Sequence, residues 1–196
     1  MARLGTLFDA LLGRSKPVEP DLDALFALPA AAVALEAATG LRPTGVGAVC
    51  VKPAEGAAFT AAQDEVTALL GLDQDAGVDQ TRDGFGYLWT TARTDAGRLA
   101  DVVTALHAAN TTYERAGYGP SLLCSLVGFA GDIDGQRRSV GLVYLYKRGT
   151  TYPFAPLGGE KRDTVLELRV RAALGEDLRV EPDLTRWFPL WGAPGL

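Results

Sequence analysis

The residues able to do chemistry are few and scattered. His107 is the one histidine, and it sits mid-helix in pattern, three residues before Asn110. Histidine titrates near neutral pH and can serve as a general base or a metal ligand. A zinc centre takes three or four ligands, and neither a second histidine nor a nearby cysteine supplies them. His107 therefore reads as a structural side chain, and no metal is expected. Cys50 and Cys124 each lie in an apolar run and read as buried free thiols. Ser121, Ser125 and Ser139 lie in or beside strand patterns, but none has the Gly-x-Ser-x-Gly context of a nucleophile elbow. Asp132, Asp134 and Gly135 resemble a calcium-loop fragment without its twelve-residue length or closing glutamate, so they read as a hairpin turn. Gly158-Gly159 precedes a helical pattern but lacks the Gly-Lys-Ser/Thr of a phosphate loop. Lys147, Arg148 and Lys161 leave an anion at that helix start as the alternative to plain capping. An enzyme would have to gather His107, Asn110, Tyr113, Arg148 and Tyr152 into one polar pocket. No catalytic signature is present, so the chain is expected to be non-enzymatic and to need no cofactor; an enzyme of unknown substrate is the alternative.

The elements that must position these residues follow from periodicity. Leu4, Leu7, Phe8, Leu11 and Leu12 form one apolar stripe on a helix within 1–14. Asp21 can cap a second helix carrying Leu22, Leu25 and Phe26, which Pro29 interrupts before Ala30 to Ala38 resumes it. Val46 to Lys52 reads as a strand and Phe59 to Leu70 as a helix. Val78 to Arg82 and Tyr87 to Arg93 are strands joined by an Asp83-Gly84 turn. Thr94 or Asp95 caps the longest helix, whose buried side is Leu99, Val102, Val103, Leu106, Ala109, Asn110 and Tyr113. Leu122 to Ala130 and Ser139 to Lys147 make a second hairpin. A helix from Glu160 to Leu174 is expected to turn Val165, Leu168 and Ala172 inward, and a proline-rich tail, 177–196, follows. Two hairpins plus an extra strand, packed by helices, predict one α+β domain over residues 1–196 with an antiparallel sheet. The layout resembles type III secretion chaperones and YbjN-like domains, which would imply a peptide-binding module and commonly a dimer.

With 196 residues, 47% hydrophobic and 22% charged, the chain is long enough for a substantial core. The net charge of −5 disfavours a nucleic-acid binder. No window offers the roughly 20 apolar residues of a membrane span, and no signal-peptide layout opens the chain, so a cytoplasmic location is expected. Arg3, Arg14 and Lys16 flank the first stripe, which can pack on the core, dock in a partner's groove or lie at the inner face of the membrane. The segments around Arg148, Tyr152 and Phe154, and around Trp187 and Trp191, hold aromatics between prolines and glycines. They read as core cover or as interaction anchors. The candidate partner-binding residues are Leu7, Phe8, Leu11, Arg148, Tyr152, Phe154, Trp187 and Trp191.

Several stretches together resemble one family. They are Leu7-Phe8-Asp9-Ala10-Leu11-Leu12-Gly13-Arg14, Pro20-Asp21-Leu22-Asp23-Ala24-Leu25-Phe26, Ala38-Thr39-Gly40-Leu41, His107-Ala108-Ala109-Asn110-Thr111-Thr112, Leu122 to Phe129, and Trp191-Gly192-Ala193-Pro194-Gly195-Leu196. Spread over nearly the whole chain, they look like PspAB, the PspA-associated proteins of actinobacteria and some archaea. The resemblance implies an accessory role in a phage-shock-type envelope stress system. Its implied partners are a PspA-like coiled-coil protein or an HtpX-type membrane protease, with a homodimer and a peripheral membrane contact also open. It defines no functional residues.

Overall fold

A computed structural model describes residues 20–71, 77–176 and 178–196. The expected helix at 1–14, with Leu7, Phe8 and Leu11, lies outside the described residues. Strand β1 (Arg42–Val51) follows helix α1 (Leu28–Thr39); then come α2 (Ala57–Leu70), β2 (Gly77–Arg82), β3 (Leu88–Arg93) and α3 (Leu99–Arg115). Strands β4 (Leu122–Ile133), β5 (Gln136–Leu145) and β6 (Thr150–Phe154) precede a short ribbon of β7 (Pro156–Gly158) and β8 (Lys161–Arg162), and α4 is Thr164–Leu174. The fold is α+β. The main sheet is antiparallel throughout, in the order β2-β3-β1-β4-β5-β6.

The sheet is one strand wider than the pattern predicts. Thr150–Phe154 carries no strand expectation, and Pro153 has no amide hydrogen for a ladder, yet β6 pairs with β5 in register, Leu142 opposite Pro153. Proline is tolerated in an edge strand, and β6 lies at one edge. The second hairpin closes on a two-residue turn, with Ile133 opposite Gln136. Asp134 and Gly135 take φ of 51° and 76°, the left-handed pair of a type I′ turn.

Helices cover the inner face. Helix α3 buries Leu99, Val102, Val103, Leu106, Ala109, Asn110 and Tyr113, the same seven residues its periodicity selects. It starts at Leu99 rather than at Thr94, whose amide instead donates to the Gly45 carbonyl at 2.8 Å. Gly47 of β1 lies beneath it, and a Cβ there would stand 2.4 Å from Val102 Cγ1.

Two expectations are corrected here. Helix α4 buries Leu166, Glu167, Val170 and Leu174, while Val165 and Leu168 face solvent at 77% and 44% exposure. The helix also starts later than Glu160, because Gly158, Gly159 and Glu160 all have positive φ and turn the β7–β8 ribbon. Asp163 is the true cap, its Oδ1 accepting the Leu166 amide at 3.0 Å. Gly158-Gly159 thus turns a ribbon and does not open a helix. The second correction concerns Leu22–Thr39, which is long and apolar enough to cross a membrane by length and composition alone: 18 residues of mean hydropathy 1.5. It is a 3-10 turn followed by α1, and its Leu22, Leu25, Leu28, Ala31, Ala32 and Leu35 belong to the core. Pro29 sits in the first turn of α1, where a missing amide hydrogen costs nothing.

Candidate functional site

The outer face of the sheet carries a second, separate core of Ala48, Cys50, Trp89, Cys124, Leu126, Val143, Tyr152, Phe154, Trp187 and Ala193. Register arranges its strand residues in rows. One row runs Trp89, Cys50, Cys124, Leu145 across β3, β1, β4 and β5. The next runs Ala48, Leu126, Val143, Tyr152. A third runs Gly128, Gly141, Phe154. The two glycines remove side chains where the chain passes back over the sheet. A Cβ on Gly128 would lie 3.1 Å from the Gly195 carbonyl oxygen, and one on Gly141 would lie 3.3 Å from Leu196 Cδ1.

The covering layer is the segment 178–196, which acts as a strap. It first lines the β6 edge: the Thr151 amide donates to Arg179 O at 2.8 Å and the Glu181 amide to Thr151 O at 2.9 Å. Glu181 is fully buried. Its carboxylate accepts from Arg148 Nε at 2.6 Å, Thr150 Oγ1 at 2.8 Å and the Asp183 amide at 3.2 Å. Burial alone would raise its pKa, but the bonds from Arg148, Thr150 and Asp183 outweigh burial and hold the carboxyl below its ordinary value. Trp187 stacks on Tyr152 with ring centroids 6.1 Å apart, and its indole donates to Glu181 O at 3.1 Å. Tyr152 Oη donates to Phe188 O at 2.8 Å. Arg162 donates to Trp187 O at 2.7 Å, pairs with buried Glu167 at 2.9 Å, and lies over the Phe154 ring at 5.4 Å. Trp191 meets Phe154 edge-on at 5.1 Å.

Between strap and sheet runs a trough with a cavity of about 440 Å³. Cys50, Cys124, Trp89 and Leu145 form its floor, Tyr152 and Trp191 one wall, and Phe188, Pro189 and Leu190 the strap side. The β2–β3 loop supplies Asp83, Phe85 and Tyr87. Asp83 organises that loop: Oδ1 accepts the Phe85 and Tyr87 amides, each at 2.9 Å, and Oδ2 accepts the Trp89 indole at 3.0 Å. Phe85 and Phe188 remain 78% and 56% exposed at the rim of this apolar cavity.

The five candidate partner-binding residues that are described converge on this strap and trough. Arg148 is the ion-pair partner of Glu181, Tyr152 and Phe154 are buried beneath the strap, and Trp187 is the strap's own buried ring. Only Trp191 is both part-exposed and in the trough wall. Phe85, Phe188, Asp83 and the facing cysteines are additions. The Asp83-Gly84 turn signal pointed at the loop; the cysteine pairing depends on the β1–β4 register, which has no local signal.

The alternative enzyme constellation is not assembled. His107 faces Asp23 at 3.3 Å and the Phe26 ring at 4.9 Å. Asn110 donates to Leu106 O and Ser125 Oγ, on the opposite side of the sheet from Tyr152. Among the described residues no cluster of three or more metal-ligating side chains occurs.

Fold and trough together define an α+β protein whose six-stranded main sheet is strapped on its outer face by a single segment that leaves an aromatic trough. A family model, PspA associated protein B (PspAB), matches residues 5–195, and the chain belongs to that family. The family's description ties it to PspA. No curated protein and no solved structure matches the chain.

Proposed function

We propose that this protein is a non-enzymatic cytoplasmic adaptor of a phage-shock-type envelope stress response, binding PspA through the aromatic trough. The observation that carries the reading is the pair of exposed rings, Phe85 and Phe188, flanking an apolar cavity. A coiled-coil partner offers apolar side chains at helical spacing, which suit a groove of this kind. Aromatic anchors of this sort dominate binding energy where they become buried.

The test is isothermal titration of the purified chain with PspA from the same genome. Phe85→Ala combined with Phe188→Ala is expected to weaken binding by about tenfold or more, since interface hot spots are worth roughly 2 kcal/mol or more. Both rings are exposed, so the double variant keeps its fold, checked by circular dichroism. Unchanged affinity would remove the trough as the binding surface. Absence of any PspA binding, with capture of an HtpX-type protease or self-association instead, would move the adaptor role to that partner.

A further inference from the structure

Cys50 and Cys124 face each other in register on adjacent antiparallel strands, and both side chains line the same trough. Directly opposed residues in an antiparallel pair have Cα atoms about 4.5–5.5 Å apart. A disulfide spans Cα separations of roughly 4.4–6.8 Å. Both thiols are free. The hydrogen bond to Cys124, with burial, holds the Cys50 thiol protonated well above its ordinary range, so the reduced pair is quiescent. The cavity above the sulfurs has walls of tryptophan, tyrosine, leucine and proline, and the charge it contains is the Asp83 carboxylate. Such a passage favours a small uncharged reactant and repels an anion.

We propose that Cys50 and Cys124 are a dithiol modification site: a small uncharged disulfide entering the trough converts the pair into a Cys50–Cys124 disulfide bridging β1 and β4. One cysteine, as its thiolate, attacks a sulfur of the reactant; the reactant's S–S bond breaks and half of it leaves as a thiol. The second cysteine, on losing its proton, attacks the mixed disulfide at the protein sulfur. The Cys50–Cys124 bond forms and the other half leaves as a thiol with that proton. The protein pair loses two electrons and two hydrogens, and the reactant's disulfide gains them. Exchange goes through the thiolate, so the rate climbs as pH rises.

The test uses the folded chain and 4,4′-dithiodipyridine, a small uncharged aromatic disulfide that releases an ultraviolet-absorbing thiopyridone at each step. The expected result is two thiopyridone equivalents per chain, a chain lighter by two hydrogens, monomeric migration without reductant, and return of the starting mass with a phosphine. Cys124→Ser should stop at one equivalent as a mixed disulfide; if that variant does not fold, the wild-type stoichiometry and mass decide alone. Two stable adducts on one chain, or a bond between chains, would overturn the pairing. Thiols that react only in denaturant would overturn the site. A dianionic aromatic disulfide should react at least tenfold more slowly, and equal rates would refute entry through the trough.

Discussion

The strap should be removable by one change at Glu181. Its carboxylate is wholly buried and binds the Arg148 guanidinium, which is 34% exposed, along with the Thr150 hydroxyl and the Asp183 amide. Removing one member of a buried pair costs about 3–5 kcal/mol when both charges are deep. Arg148 reaches water, so its abandoned charge is partly solvated and the cost is smaller. Glu181→Gln preserves shape and one acceptor oxygen but turns an NH2 toward donors. Losing one or two charge-assisted bonds, at about 1.5–3 kcal/mol each, leads to an expected loss of about 2–3 kcal/mol. In a chain of this size that lowers the melting temperature by roughly 5–10 °C. Urea unfolding followed by far-ultraviolet circular dichroism and by tryptophan fluorescence is the assay. Trp187 and Trp191 both lie on the strap, so in the variant the fluorescence transition should precede the circular dichroism transition. A Glu181→Gln protein within about 0.5 kcal/mol of wild type, with coincident transitions, would refute the anchor.

Three further outcomes are expected. Because the Glu181 carboxyl titrates lower in the folded protein than in the unfolded chain, its stabilisation is complete above the ordinary glutamate range, and it disappears as pH falls through the lowered folded value. Wild-type stability should therefore drop on acidification more steeply than that of Glu181→Gln, and parallel acid melts would contradict it. Tyr113 is buried, and its hydroxyl meets the Thr90 side chain without a well-formed hydrogen bond, so Tyr113→Phe should shift stability by about 1 kcal/mol or less in urea melts; a larger loss would show that the hydroxyl is firmly bonded. Gly128→Ala would put a Cβ 2.7 Å from Thr44 Oγ1 and 3.1 Å from Gly195 O; a loss of about 1–3 kcal/mol is expected from overpacking, and unchanged stability would mean that the strap does not bear on that glycine.

Legibility in the sequence tracked locality. The α3 core face could be read because a 3.6-residue period needs no knowledge of its neighbours, and both hairpins could be read because Asp-Gly turns act over a few residues. The α4 face was misread for a nonlocal reason. Apolar Val165 and Leu168 invited burial, but the buried acid is Glu167, whose carboxylate accepts the Ala155 amide and pairs with Arg162. Strand β6 was hidden by Pro153. The aromatic tail reads as core cover or interaction anchor from its composition alone, but what it covers depends on distant partners, Tyr152 for Trp187 and Phe154 for Trp191. The trough was out of reach for the same reason: Cys50 and Cys124 are 74 positions apart and become neighbours only through the β1–β4 register.

The strap is fastened on both sides of the trough, and this makes it a gauge. Trp187 is clamped at one side by Tyr152, Arg162 and Glu181, and Ala193 is buried at the other. Positions 188–192 bridge between them. A chain extends by at most about 3.3–3.6 Å per residue, and Pro189 stiffens the bridge further. Its slack is therefore finite and fixed by residue count. A visitor to the trough is admitted by girth: a slender one slides beneath the bridge, while a bulky one must first unbuckle an anchor and meet that cost in affinity. Deleting Gly192, the one bridge residue that does not line the trough, would rescale the aperture without removing a lining side chain.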